Sequence, residues 1–225
     1  MRITKVAPST RVQGRWLCHL EDGTILRVGE NEVLNFCLYA GLELDDDTLE
    51  QLSAAVAKSN LREKALGLIS ARPMSRKELL NKLTARRKQA RVGDDGYEGG
   101  EEEEVVSAAA VEVADWLEGL GYLNDAEYAK QVARHYSAKG YGQGKIRDEL
   151  WKRGVPREYW DEARESAEAP GEGIDAFIRQ KLKGKTPDPR ELKRVSDALA
   201  RRGYRWNEIK DGLRRYGTEI DEEST

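Results

Sequence analysis

Sliding the chain along itself by 49 residues, without a gap, lays one stretch of apolar positions on another. Tyr128-Ala129 then falls on Phe177-Ile178, Ala133 on Leu182, Ile146 on Val195, Leu150 on Leu199, Gly154-Val155 on Gly203-Tyr204 and Trp160 on Ile209. Apolar meets apolar and glycine meets glycine over more than thirty positions, a register that marks a tandem repeat rather than two unrelated amphipathic helices. Within the unit, an apolar pair four residues apart lies on one helix face. Four residues later a glycine ends the helix in the left-handed conformation, and the next residue packs back on the turn. The same phrase occurs earlier as Val113, Leu117 and Gly121-Tyr122.

Each unit therefore reads as helix, turn, helix, turn, helix. The expected helices are 125–138, 143–153 and 156–166 in the second unit, with Pro156 in the first turn of the last, and 173–183, 189–202 and 205–215 in the third. The first unit starts at Leu61, Ala65, Leu68 and Ile69, runs from Ser75 to Arg87, is interrupted, and resumes from Val106 to Leu120. The expected boundaries are 1–58 for an N-terminal part, 59–123 for repeat 1 with an insertion at 93–104, 124–168 for repeat 2, 171–217 for repeat 3 and 218–225 for an acidic tail. Three short helices bury too little to stand alone, so the fold class expected is mostly α, with the three-helix repeats stacked as an elongated curved solenoid.

Composition agrees with small modules rather than one large core: 39% of the 225 residues are hydrophobic, 35% are charged, and the mean hydropathy is -0.75. No apolar run approaches the ~18 residues of a membrane span, and Met1-Arg2-Ile3-Thr4-Lys5 leads into no signal-peptide segment, so a cytoplasmic protein is expected. Cys18 and Cys37 lack a CxxC or a histidine-rich neighbour and read as buried apolar residues; His19 and His135 are isolated. Neither a metal centre nor a cofactor is expected.

Ahead of the repeats, Gly14 to Leu20 and Thr24 to Val28 flank Glu21-Asp22-Gly23, the signature of a small β-hairpin with Trp16, Cys18 and Leu20 on one face. A short helix over Asn31 to Ala40 should end at Gly41, and Asp47-Thr48-Leu49-Glu50 reads as the capped start of another through Leu52 and Val56.

Charge is segmented along the chain. Residues 61–93 carry a net +8, residues 94–104 (DDGYEGGEEEE) a net -7, and residues 179–215 again +8. The acidic stretch cannot bury apolar area and is expected to be a solvated loop. Gly140-Tyr141-Gly142-Gln143-Gly144-Lys145-Ile146 fails the phosphate-loop pattern twice, with Lys139 where a glycine is needed and Ile146 where a Ser or Thr would hold magnesium. It reads as a helix-to-helix turn. Paired acids such as Glu162 and Glu165, or Asp148 and Glu149, have the spacing of ordinary solvated helix faces, and no general acid/base constellation stands out. Trp151-Lys152-Arg153 and Tyr204-Arg205-Trp206 invite a base-stacking interpretation, but Tyr122, Tyr128, Trp160 and Tyr204 occupy apolar repeat positions and are expected in the core. Arg72, Arg76, Lys77, Lys139, Lys145, Lys152, Lys193 and Arg201 fall mostly off the apolar face and form a candidate basic ridge for a partner.

Three blocks resemble the RecX regulators of the RecA recombinase: Ala71-Arg72-Pro73-Met74-Ser75-Arg76-Lys77-Glu78-Leu79-Leu80-Asn81-Lys82-Leu83, Leu120-Gly121-Tyr122-Leu123-Asn124-Asp125-Ala126-Glu127-Tyr128-Ala129, and Gly144 to Val155 (GKIRDELWKRGV). The second is the most specific, and the resemblance extends over nearly the whole chain. It implies tandem three-helix repeats, a non-enzymatic protein, and binding in the groove of the RecA filament on single-stranded DNA with suppression of its ATPase and strand exchange. A monomer, with at most weak direct DNA contact, is expected. The acidic Gly-rich insertion and the Lys183-Gly184-Lys185-Thr186-Pro187-Asp188-Pro189 loop depart from the family pattern. Two other readings stay open: a helical module that binds nucleic acid directly, since three-helix units resemble helix-turn-helix domains, and an adaptor for another assembly.

Overall fold

The computed structural model describes residues 1–84, 100–167, 169–183 and 188–217, with the side chains of 100–107 and Pro170 outside that description. Two compact units divide the chain: Met1–Ala71 with Leu83–Trp116, and Arg72–Lys82 with Leu117–Thr225.

In the first unit, β1 (Ile3–Pro8), β2 (Arg15–Leu20) and β3 (Ile25–Gly29) form an antiparallel sheet in that order. The expected hairpin is its β2–β3 half. Its turn is set by the Asp22 carboxylate, which accepts from the Thr24 amide at 2.9 Å and the Thr24 hydroxyl at 2.8 Å, while Gly23 takes φ +88°. The remaining strand, β1, has no turn motif of its own to announce it, and its register on β2 slips between Ile3 and Lys5, which breaks the two-residue alternation. Ile3, Cys18, Leu20 and Val28 face a core completed by Leu38, Leu44 and Leu52.

The short helix stops earlier than expected. α1 spans Glu30–Asn35, and Cys37 adopts φ +46° while the Leu38 amide reaches the Val33 carbonyl at 2.9 Å. Cys37 is therefore exposed on the turn, not buried as its residue type suggested, whereas Cys18 is fully buried. α2 (Asp46–Ala71) is one helix of 26 residues that joins the segment of Leu49, Leu52 and Val56 to that of Leu61, Ala65 and Leu68. Its cap is Asp45, whose carboxylate accepts from the Thr48 amide at 2.7 Å, two residues ahead of the expected Asp47.

α3 (Arg76–Thr84) and α4 (Gly100–Gly119) follow. Residues 100–104 belong to α4, so this part of the acidic stretch is helical and not a loop; residues 93–99 lie outside the described residues. An acid-rich first turn suits a helix N-terminus, where the peptide dipole favours negative charge.

The second unit contains α5 (Asp125–Ala138), α6 (Gln143–Lys152), a 3₁₀ turn (Arg157–Tyr159), α7 (Trp160–Glu165), α8 (Pro170–Leu182), α9 (Pro189–Arg201) and α10 (Trp206–Arg215). Pro156 precedes the 3₁₀ turn instead of opening α7. Helices α5 to α7 enclose Tyr128, Ala129, Ala133, Ile146, Leu150 and Val155; helices α8 to α10 enclose Phe177, Ile178, Leu182, Val195, Leu199 and Tyr204. These are the residues paired by the 49-residue shift, so the repeat is a repeat of cores. Trp160, opposite the fully buried Ile209, is only half-buried, its indole N–H donating to the Val155 carbonyl at 3.0 Å. Tyr128 and Tyr204 are buried as expected, but Tyr122 is 62% exposed, because after Gly121 it is Leu123 that turns inward.

Gly154 and Gly203 have φ +67° and +87°, and both turns close identically. The Val155 amide bonds to the Leu150 carbonyl at 3.1 Å, and the Tyr204 amide to Leu199 at 3.3 Å, the six-to-one bond of a Schellman ending. At the other end of a helix, Asn124 caps α5 by accepting from the Glu127 amide at 3.0 Å. Asn124→Ala should lower stability by about 1 kcal/mol in urea denaturation, and an unchanged midpoint would show that the cap is not formed in solution.

Candidate functional site

The glycine turns also join successive repeats, and this sets where the basic side chains stand. The start of α6 seats on the turn after α9: the Gly142 amide donates to the Arg202 carbonyl and the Gly144 amide to the Gly203 carbonyl, both at 2.9 Å. A Cβ on Gly142 would lie 2.5 Å from the Gly203 carbonyl oxygen, so the glycine-rich run is a close backbone approach more than a flexible turn. The start of α3 seats on the turn after α6 in the same way. The Ser75 hydroxyl donates to the Arg153 carbonyl, the Arg76 amide donates to Asp125 at 2.8 Å, and the Lys77 side chain lies directly over Gly154. Arg153 and Arg202 are equivalent under the 49-residue shift, as are Gly154 and Gly203, over which Lys77 and Lys145 stand respectively.

This arrangement gathers part of the candidate ridge. Lys145, Glu149, Lys152 and Arg153 occupy one face of α6. Glu149 is buried and takes Lys145 Nζ at 2.9 Å, Lys152 Nζ at 3.7 Å, the Arg153 guanidinium, and the Tyr136 hydroxyl at 3.0 Å. Burial alone pushes the carboxyl up, but hydrogen bonds from Arg153, Lys145 and Tyr136 outweigh it and hold the carboxyl down at about 2. Glu149 is thus an anionic anchor that holds Lys145 and Arg153 by hydrogen bonds, with the more exposed Lys152 in ion-pair range beside them. The pattern reads as a solvated i, i+3, i+4 helix face in sequence, and only the fold shows that the acid is buried beneath its bases.

The other residues of the ridge divide. Arg76 reaches Glu118 on α4 at 2.6 Å and Arg72 is bonded to Glu78, so both are engaged by acids within the fold. Lys139, exposed at the end of α5, offers its carbonyl to Arg202 at 3.4 Å. Lys77, Lys139, Lys193 and Arg201 are exposed and make no ion pair among the described residues; Lys193 and Arg201 stand on α9 and join neither group.

Two arginines absent from the ridge are more central than several within it. Arg153 lies 5.5 Å over the Tyr136 ring, and Arg202 lies 4.5 Å over Phe177 and 5.3 Å over Tyr141 while donating to the Gly140 carbonyl at 3.0 Å. Both immediately precede a turn glycine, and that repeat-equivalent position was the available signal. Between α6, α7 and the start of α10 lies a cavity of about 310 Å³ with Ile146, Leu150, Trp160 and Tyr204 on its walls and Arg147, Arg164 and Arg205 at its rim. Trp151 and Trp206 are 67% and 56% exposed, so the aromatic-basic triplets present their tryptophans to solvent. Among the described residues no cluster of metal-ligating side chains occurs, and no helix is long and apolar enough to cross a membrane.

Comparison with known proteins gives one family. The family model for the second three-helix domain of RecX matches residues 124–163, the α5 to α7 repeat. Regulatory protein RecX of Stenotrophomonas maltophilia is 31% identical over 154 residues, covering 68% of this chain and 84% of that protein. The Pseudomonas putida protein of the same name is 33% identical over 146 residues, 64% of this chain and 83% of its own length. Among solved structures, a crystal structure of regulatory protein RecX superposes with a TM-score of 0.63 at 20% identity over 93% of this chain and 98% of that one. RecX from Lactobacillus salivarius gives 0.57 at 16% identity over 72% and 98%. Sequence relatives across most of their length, and a shared helical fold, establish that the chain belongs to the RecX family of regulatory proteins.

Proposed function

We propose that this protein binds the RecA recombinase filament on single-stranded DNA and restrains its ATPase and strand exchange without catalysing a reaction itself. The observation that carries the reading is family membership joined to a preformed basic surface: Glu149 holds Lys145 and Arg153 in place, Lys152 stands beside them, and Lys77 is seated over the adjacent Gly154. Cations fixed in advance lose less side-chain entropy on meeting an acidic or phosphate-bearing partner than free lysines do. Contact with one protomer of a helical filament, or with its growing end, affects many neighbours, so inhibition is expected below equimolar ratio.

The test is steady-state ATP hydrolysis by RecA on single-stranded DNA with added wild type or the Lys77→Ala/Lys145→Ala/Lys152→Ala variant. Wild type should slow hydrolysis, the variant should do so several-fold less effectively with unchanged helical content, and the difference should shrink as salt shortens the Debye length below ~8 Å. An unchanged rate at equimolar wild type would refute the regulator reading. Equal inhibition by the two proteins would leave the regulator reading standing and remove this face from it.

A further inference from the structure

The outward face of the N-terminal sheet carries a second basic surface that the candidate ridge does not include. Leu17 pairs with Arg27 and Arg15 with Gly29, so Arg15, Leu17 and Arg27 share the face opposite Trp16 and Cys18. The loop between β1 and β2 adds Arg11. It is folded on the Ser9 hydroxyl, which accepts from the Arg11 and Val12 amides at 3.3 Å each, and the Ser9 amide donates to the Arg15 carbonyl at 2.7 Å.

Together these residues border a cleft of about 620 Å³ whose lining contains three guanidinium groups, the Ser9 and Thr10 hydroxyls and no carboxylate. Arg15 is steadied from the side by Asn60 at 2.6 Å and by Glu63. Arg11 and Arg27 are exposed and make no ion pair among the described residues. In a chain of net charge -3, an open face on which three arginines meet one carboxylate, that of Glu63 on Arg15, is a local departure from the average.

We propose that this face binds the phosphodiester backbone of single-stranded nucleic acid. Guanidinium forks match phosphate oxygens, and hydroxyls supply further donors. Diagonal neighbours on adjacent strands stand roughly 7 to 8 Å apart, a spacing suited to successive phosphates of an extended strand. The apolar part of the cleft comes from Leu17, Val12 and the aliphatic stems of the arginines, with no aromatic residue in the lining to anchor a protein partner. The proposal does not rest on the recombinase reading.

The experiment is fluorescence anisotropy of a labelled oligothymidylate with the full chain and no recombinase, across a salt series. The Arg11→Gln/Arg27→Gln variant should bind roughly tenfold or more weakly, and its slope of log affinity against log salt should be shallower by about 1.4, the counterions of two phosphates on a single strand. The Arg11→Lys/Arg27→Lys variant, which keeps both charges, should retain the wild-type slope. No binding by wild type, or an unchanged slope in the glutamine variant, would overturn the proposal. Displacement by polyglutamate as effective as by unlabelled oligothymidylate would also overturn it, assigning the face to acidic protein segments. Loss of oligothymidylate binding with ATPase inhibition intact separates this site from the proposed regulatory face.

Discussion

Gly203→Val is expected to destabilise the protein by about 2 to 5 kcal/mol, the sum of a left-handed backbone penalty and overpacking of the joint. At φ +87° a branched side chain is strained in itself, and a Cβ there would collide with the Lys145 backbone nitrogen at the seat of α6. Gly154→Val carries the same backbone penalty at φ +67° and meets the Lys77 side chain, whose Cδ can rotate away but whose Cβ, at 2.9 Å, must shift with its backbone, so about 2 to 3 kcal/mol is expected. Gly142→Ala separates the two effects, because φ there is -80° and only the 2.5 Å approach to the Gly203 carbonyl opposes a Cβ; about 1 to 3 kcal/mol should follow. Denaturant midpoints of the three variants measure this directly. Equal losses at Gly154 and Gly203, with Gly142→Ala neutral, would show that these glycines act through their own turns alone and that the backbone seat contributes nothing.

Glu149→Gln should cost roughly 2 to 3 kcal/mol at neutral pH, because a carboxyl displaced from 4.5 to about 2 stabilises the fold through its ionised form. Between those values the unfolded chain takes up a proton that the folded chain refuses. The contribution is therefore complete above about 4.5 and is lost progressively as pH falls towards about 2. Stability curves of wild type and variant should converge in that window. A gap that stays constant from neutral pH down to about 3 would assign the loss to packing rather than to the charge network.

The repeat was legible in the sequence because it is local. An i, i+4 apolar pair, a glycine and a capping side chain act within one or two helical turns, so the boundaries of α5, α6 and α9 lie within one or two residues of their expected places. The first strand and the exposure of Cys37 and Tyr122 were not legible. β1 is a strand because β2 offers it an edge, and Cys37 and Tyr122 face solvent because Leu38 and Leu123 fill the adjacent core positions.

The candidate site shows the same division. Sequence alone determined the helical repeat, the glycine turns, the basic charge of segments 61–93 and 179–215 and the membership these signal, since each is written in residue types at fixed short spacings. Which cations from separate segments share a surface was decided by tertiary structure. Lys77 meets the α6 turn only because α3 seats on Gly154, whereas Lys145, Lys152 and Arg153 already flank Glu149 by their short helical spacing and the fold adds the burial of that acid beneath them. Arg76 and Arg72, indistinguishable from them in composition, are held by Glu118 and Glu78 instead. A charge's partner depends on the three-dimensional approach of another chain segment, and over such separations the order of residues does not specify which acid will arrive.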